Sequence, residues 1–187
     1  MNTLTILFRK LTPLIFVLIS GTLPGQSHHD KGHDNHGFNH FRVALNLAHA
    51  FIPSATDLEE NFVIIPVWGL DIQYWFNEHW ALGLKNDIEI AKYTLQGGDG
   101  SYDNELRENP LIISLPVYYS PWDGGLLFYT GPGIELEQDH NFWVYRFGIG
   151  YEFHMPGNWD FAPEFVYDLK NGHYNAFTIA IGVGKRF

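Results

Sequence analysis

Five histidines fall within thirteen residues: His28, His29, His33, His36 and His40, with Asp30 and Asp34 between them. Neutral imidazole is the commonest metal ligand, and carboxylates can complete a site for zinc, copper or nickel. The spacing matches no defined zinc motif. A flexible tract must also be ordered to bind, so the expectation is weak capture of a divalent ion, against a plain solvated tail. No other cofactor is expected. A second set of charges recurs at alternate positions further on. Arg42, Lys85, Arg146 and Arg186 share their parity with Asp71, Asp87, Glu89, Glu135, Glu137, Glu152, Asp160, Glu164 and Asp168. On strands, alternate residues point to one face, so these side chains are expected to meet inside a closed sheet and pair there. An excess of acid would favour cations electrostatically, though a favourable field is not a hole. Catalysis finds little support. His154 and His173 could act as bases, but no serine lies close in sequence to either, and a base without a nucleophile does not make a hydrolase. The chain is read as a non-enzyme.

The elements that carry these charges are strands. Eight segments show period-two alternation of large apolar residues. The first, about Phe38 to Phe51, puts Phe41, Val43, Leu45 and Leu47 on one face. The second, about Phe62 to Phe76, does the same with Ile64, Trp68, Leu70, Ile72 and Tyr74. The third alternates Trp80, Leu82, Leu84, Ile88 and Ile90 with Ala81, Gly83, Lys85, Asp87 and Glu89. Leu111 to Tyr119 is a weaker fourth. Leu126 to Glu137, Trp143 to His154 and Trp159 to Asp168 follow. The eighth, Tyr174 to Phe187, sets Phe177, Ile179, Ile181 and Val183 against Ala176, Ala180, Gly182 and Gly184. Pro66, Pro116, Pro132 and Pro163 fall inside these patterns and predict bulges or early strand ends.

The connections alternate in length. Asn77 to His79, Trp122 to Gly125 and Met155 to Asn158 are short, whereas Leu95 to Asn109 is long and polar. Such alternation suits an up-and-down barrel with tight turns at one end. Greasy faces with this parity admit two polarities. A soluble lipocalin-like barrel turns them inward around a small ligand. A membrane barrel turns them outward, and its small and charged residues fill a narrow lumen. The abundance of Gly and Ala beside charges of both signs favours the second.

The first 26 residues read as a cleaved signal peptide: Arg9 and Lys10, an apolar stretch from Leu11 to Ile19, then a small-residue exit. That apolar run is too short to span a bilayer as a helix. Residues 27–37 would form the His-rich periplasmic tail, and 38–187 the barrel. The chain has no cysteine, which excludes disulfides and thiolate metal sites. Losing Arg9 and Lys10 from the 11 bases leaves nine against 21 acids, a net charge of −12 that argues against nucleic acid as a partner. Aromatic residues make up 17% of the chain, too many for disorder and suited to interfacial girdles.

Over Phe38 to Phe187 the chain resembles the outer-membrane β-barrel superfamily, in its small eight-stranded form. The alternation, the aromatic enrichment, the short–long loop rhythm and the terminal Phe187 carry the resemblance. It implies an all-β fold, an eight-stranded antiparallel up-and-down transmembrane β-barrel, in the bacterial outer membrane. It further implies contact with outer-membrane lipid, assembly by the barrel assembly machinery, and a role for Phe187 as assembly signal. Lys185 departs from that signal, which usually carries an apolar residue two before the end. The expected role is structural or surface-interacting, with a porin-like wall around a lumen filled by charge. A metal-handling barrel fed by the His tail, or a soluble ligand binder, are the alternatives.

Overall fold

The computed structural model describes residues 40–53, 55–56, 63–95, 105–122, 125–137, 140–170 and 174–187. The signal segment and most of the His-rich tract lie outside them. The first strand, β1 (His40–Ile52), pairs with the last, β13 (Tyr174–Arg186), from Arg42↔Arg186 to Phe51↔Phe177. From β1 the ring runs through β3 (Val63–Trp75) and β4 (Trp80–Glu89). The next stave is made of two pieces, β7 (Leu111–Ser114) and β8 (Val117–Tyr119). It continues through β9 (Leu126–Leu136), β10 (Phe142–Tyr151) and β12 (Trp159–Lys170) back to β13. Every pairing is antiparallel, and the eight staves close on themselves. Closure leaves the ring of staves without an edge strand.

Short extra pieces extend this ring. β2 (Ala55–Thr56), β5 (Lys92–Leu95) and β6 (Glu105–Glu108) form a small sheet at the end opposite the termini, and β11 (Phe153–Met155) prolongs β10. The long polar connection read from Leu95 to Asn109 is therefore partly strand, with β5 pairing β6 from Lys92↔Glu108 to Leu95↔Glu105. β5 and β6 are four residues each, too short for a period to stand out.

Prolines explain where staves break. Residues opposite each other at a hydrogen-bonded site exchange two bonds, and proline can return only one. Ile90 N–H donates to Pro66 at 2.8 Å, Leu115 to Pro132 at 2.9 Å and Gly83 to Pro116 at 2.9 Å. The ladder gaps at residues 90–91 and 115–116 fall at these one-way pairs. Pro66, Pro132 and Pro163 themselves remain within β3, β9 and β12, so the break appears in the partner rather than in the proline's own strand. Only Pro116 interrupts its own stave. Beyond the Val67↔Glu89 pair, β5 continues against β2 instead of β3.

The faces divide as the parity reading expects. Leu45, Trp68, Trp143 and Ile179 are among the most exposed side chains, whereas Arg42, Asp71, Glu135 and Asp160 are fully buried. Charge is inside and grease outside, which is the reverse of the soluble lipocalin-like alternative. From Phe41 to Phe51 the outward face of β1, apolar but for His49, makes ten residue steps, which at ~3.3 Å each and a tilt of ~40° span roughly 25 Å. That height matches the hydrocarbon-facing band of a membrane barrel. Aromatic pairs gather at the termini end, with Phe41–Tyr74 at 4.8 Å, Trp80–Tyr119 at 4.6 Å and Tyr151–Phe153 at 4.6 Å. Tyr167–Phe177, at 4.8 Å, stands towards the other end. Two polar side chains on this wall bond the next strand's backbone: Asn86 Nδ2 donates to Leu70 O (3.3 Å) and Thr130 Oγ1 to Arg146 O (2.9 Å). In hydrocarbon an unsatisfied amide or hydroxyl would be costly, and these bonds remove that cost.

Small residues let the interior fill. Gly148 faces inward, and a Cβ there would fall within the ring of Tyr129. Gly148→Ala is expected to cost about 1–3 kcal/mol through overpacking. The check is a shift in the urea midpoint of the folded barrel in lipid vesicles.

Candidate functional site

The interior charges form a ladder, and two strands supply its rungs. Along the inner face of β4 stand Lys85, Asp87 and Glu89; along that of β12 stand Asp160, Glu164, Asp168 and Lys170. In the ring of eight staves β4 and β12 are four places apart, directly across the barrel. Their side chains nevertheless meet.

At the termini end, Arg42 Nη2 donates to Asp160 Oδ1 at 2.5 Å, and its Nε lies 3.2 Å from Glu152. Arg186 lies 3.5 Å from Glu152 and 3.8 Å from Asp160 and is about a quarter exposed. One level on, Lys85 Nζ donates to Asp71 at 2.5 Å and, across the diameter, to Glu164 at 3.0 Å. Tyr129 OH donates to the same Glu164 oxygen at 2.8 Å. At the third level Arg146 holds Asp168 through two bonds, at 2.7 and 2.8 Å, and Asp87 through a third at 2.5 Å. At the fourth, Lys170 Nζ donates to Glu89 at 2.7 Å across the barrel and lies 2.8 Å from Glu135. Tyr93 OH donates to Glu89 at 2.6 Å, and Tyr174 OH to Glu135 at 2.8 Å. Arg107, on β6, bonds Glu135, donates to His140 O at 2.8 Å, lies 3.5 Å from Glu137, and covers the Phe142 ring at 4.4 Å.

A low-dielectric interior makes a lone charge prohibitive, so each level pairs its ions, and tyrosine, serine and backbone groups take up part of their remaining bonds; Arg42 Nη1 and Asp71 Oδ1 keep no hydrogen bond. Beyond the fourth level the barrel closes on apolar side chains, including Ile52, Ala55, Ile65, Leu95 and Phe142. Between the third and fourth levels a cavity of about 10 Å³ lies among Asn46, Lys85, Asp87, Glu89, Arg146 and Asp168. That is room for about one water.

All ten residues expected in the lumen network, Arg42, Asp71, Lys85, Asp87, Glu89, Glu135, Arg146, Glu152, Glu164 and Arg186, take part in these interior pairs. Two bases escaped the sequence reading. Lys170 lies two residues past the segment read from Trp159 to Asp168, yet it ends β12 and is fully buried; Arg107 lies within the connection read as long and polar, yet β6 turns it inward. Lys170 could have been found by extending the inner parity of Asp160, Glu164 and Asp168 by one more step. With both counted, six bases among the described residues meet nine acids, rather than four. His154 keeps its inner parity but at the open mouth: β11 sets it opposite Asp160, and its side chain, 49% exposed, lies 3.7 Å from Glu152.

Of the five tract histidines only His40 is described. It stacks on Trp75 with ring centroids 6.0 Å apart. Among the described residues no group of three His, Cys, Asp or Glu is arranged to hold a metal ion. Phe187 closes the first ladder: its N–H donates to Phe41 O at 2.8 Å, and its ring is exposed beside Lys185.

No family model and no curated protein matches the chain. Solved structures do. The outer membrane protein OprG of Pseudomonas aeruginosa aligns with a TM-score of 0.55 at 14% identity, covering 81% of this chain and 97% of that one. Neisserial surface protein A aligns with a TM-score of 0.52 at 13% identity, over 79% and 97%. Ail, the attachment invasion locus protein of Yersinia pestis, solved with the heparin analogue sucrose octasulfate, gives 0.51 at 15% identity, over 80% and 99%. These likenesses join the closed ring, the outward apolar band and the buried charge ladder to one conclusion: the chain has the fold of the small eight-stranded bacterial outer-membrane β-barrels.

Proposed function

We propose that the chain is an integral outer-membrane barrel whose interior is sealed, and that it serves as a structural support presenting its loop end to partners outside the cell. The carrying observation is that Lys85–Glu164 and Lys170–Glu89 bridge opposite staves. A lumen crossed by direct ion pairs leaves no continuous aqueous path for a solute, unlike the wide porins. The role then belongs to surfaces. The small sheet of β2, β5 and β6 stiffens the loop end, and the Lys92–Glu108 pair at 2.7 Å lies on its exposed side.

The test is reconstitution into planar bilayers. We expect the folded protein, identified by its heat-dependent shift on a denaturing gel, to leave the membrane without steady channels in potassium chloride. A stable open conductance of porin size from the same gel-shifted protein would overturn the sealed reading.

A further inference from the structure

We propose that the outer wall carries a seat for one hydrocarbon chain of a bilayer lipid, on the four staves β7/β8, β9, β10 and β12. A groove of about 500 Å³ opens there. Two registered rows build it. Val117, Thr130, Phe147 and Tyr167 face one another in sequence across the four staves, and Tyr119, Phe128, Ile149 and Phe165 form the neighbouring row. Seven of these eight are large or branched apolar or aromatic side chains. Thr130 is the small one, and the groove is the hollow it leaves among Val117, Phe128 and Phe147. Gly148 thins the floor beneath, since it has no side chain and the Tyr129 ring occupies the space on its inner side.

The occupant follows from the chemistry of the lining. Thr130, the lone polar group in the two rows apart from the phenols, already spends its hydroxyl on Arg146 O at 2.9 Å. Apart from the Tyr119 and Tyr167 phenols and the Trp80 indole, the floor and walls offer a ligand dispersion contacts alone. The groove is of ligand size and mostly apolar. It lies within the outward apolar band, continuous with the surface that meets hydrocarbon, so this inference rests on the membrane-spanning reading. At the termini end it is bounded by Trp80 against Tyr119, ring centroids 4.6 Å apart, residue types that favour the headgroup level. No cationic side chain lines it. Recognition is accordingly of the chain and not of the headgroup.

The experiment is native mass spectrometry of the full barrel taken from vesicles of palmitoyl-oleoyl phosphatidylethanolamine or phosphatidylglycerol. The wild type is expected to retain one lipid per barrel, with equal occupancy for the two headgroups. Thr130→Trp fills the hollow from β9, and Val117→Trp fills it from β8. Each should lower retention about tenfold, whereas Thr130→Ser should not. The gel shift, read on every variant, reports independently that a barrel has formed. Loss of the shift in wild type would sink the barrel reading itself. A shifted wild-type barrel with no retained lipid, with retention that depends on headgroup, or with retention indifferent to both tryptophans would overturn the seat alone.

Discussion

Arg146→Met is expected to destabilise the folded barrel by about 3–5 kcal/mol, the usual cost of removing one partner from a buried ion pair. Arg146 is the centre of its level. It neutralises Asp168 through two parallel bonds and Asp87 through a third, and also donates to Ser114 Oγ at 3.3 Å. Its guanidinium is almost wholly buried, and the cavity beside Asp87 and Asp168 has room for about one water, too little to solvate two carboxylates in its place. A methionine fills much of the volume but leaves two acids facing each other across the lumen. Urea unfolding in lipid vesicles, followed by tryptophan fluorescence, measures the loss. The triple variant Arg146→Met, Asp87→Leu, Asp168→Leu separates the two possible causes. If desolvated charge is the reason for the loss, the triple variant should recover most of it, because well-packed apolar groups replace a buried ionic set at little net cost. A single variant within about 1 kcal/mol of wild type would mean that the middle of the barrel is hydrated, and the sealed reading would go with it.

Leu45→Arg is expected to cost about 2–4 kcal/mol, and Phe51→Arg, on the same face of the same strand, about 0–1. Leu45 is 67% exposed and sits near the middle of the outward wall of β1, between Leu70 of β3 and Val183 of β13. At that depth a guanidinium loses its water and can regain it only by thinning the bilayer locally. Phe51 stands at the far end of the strand, where a long basic side chain reaches the interface. The same urea experiment in vesicles reports both. The difference between the two positions is the informative quantity. On a water-exposed barrel both arginines would be harmless, so equal and small effects would reverse the polarity assigned to every strand.

The two experiments probe opposite faces of one sheet, and the sequence carried much of that sheet. Which residues share a face is a local property, set by the period-two geometry of each strand. The eight segments, and the split of Arg42 and Lys85 from Leu45 and Ile181 onto opposite faces, could be assigned by counting. The short turns were legible for a similar reason. Pro156-Gly157-Asn158 places Gly157 (φ 77°) and Asn158 (φ 63°) in the left-handed region those two residues tolerate best. The prolines were visible too, but Pro66 and Pro132 leave their gaps in the strands they face, and only Pro116 interrupts its own.

Partners were decided elsewhere. Lys85 finds Glu164 seventy-nine positions away, and Lys170 finds Glu89 eighty-one away, because closing eight tilted staves brings β4 and β12 face to face. No periodicity within a strand encodes that meeting. Arg107 lay in a stretch with too little ladder to show a period, and only the pairing of β6 with β5 turns it into the mouth of the barrel. The hollow at Thr130 exists because three neighbouring staves bring Val117, Phe128 and Phe147 around it. Local geometry sufficed for the strands, their two faces and the charges they carry. Tertiary closure decided which face meets the bilayer, which ions pair across the lumen, and where the outer wall is hollow, because each depends on staves that are distant in the chain and adjacent only in the closed ring.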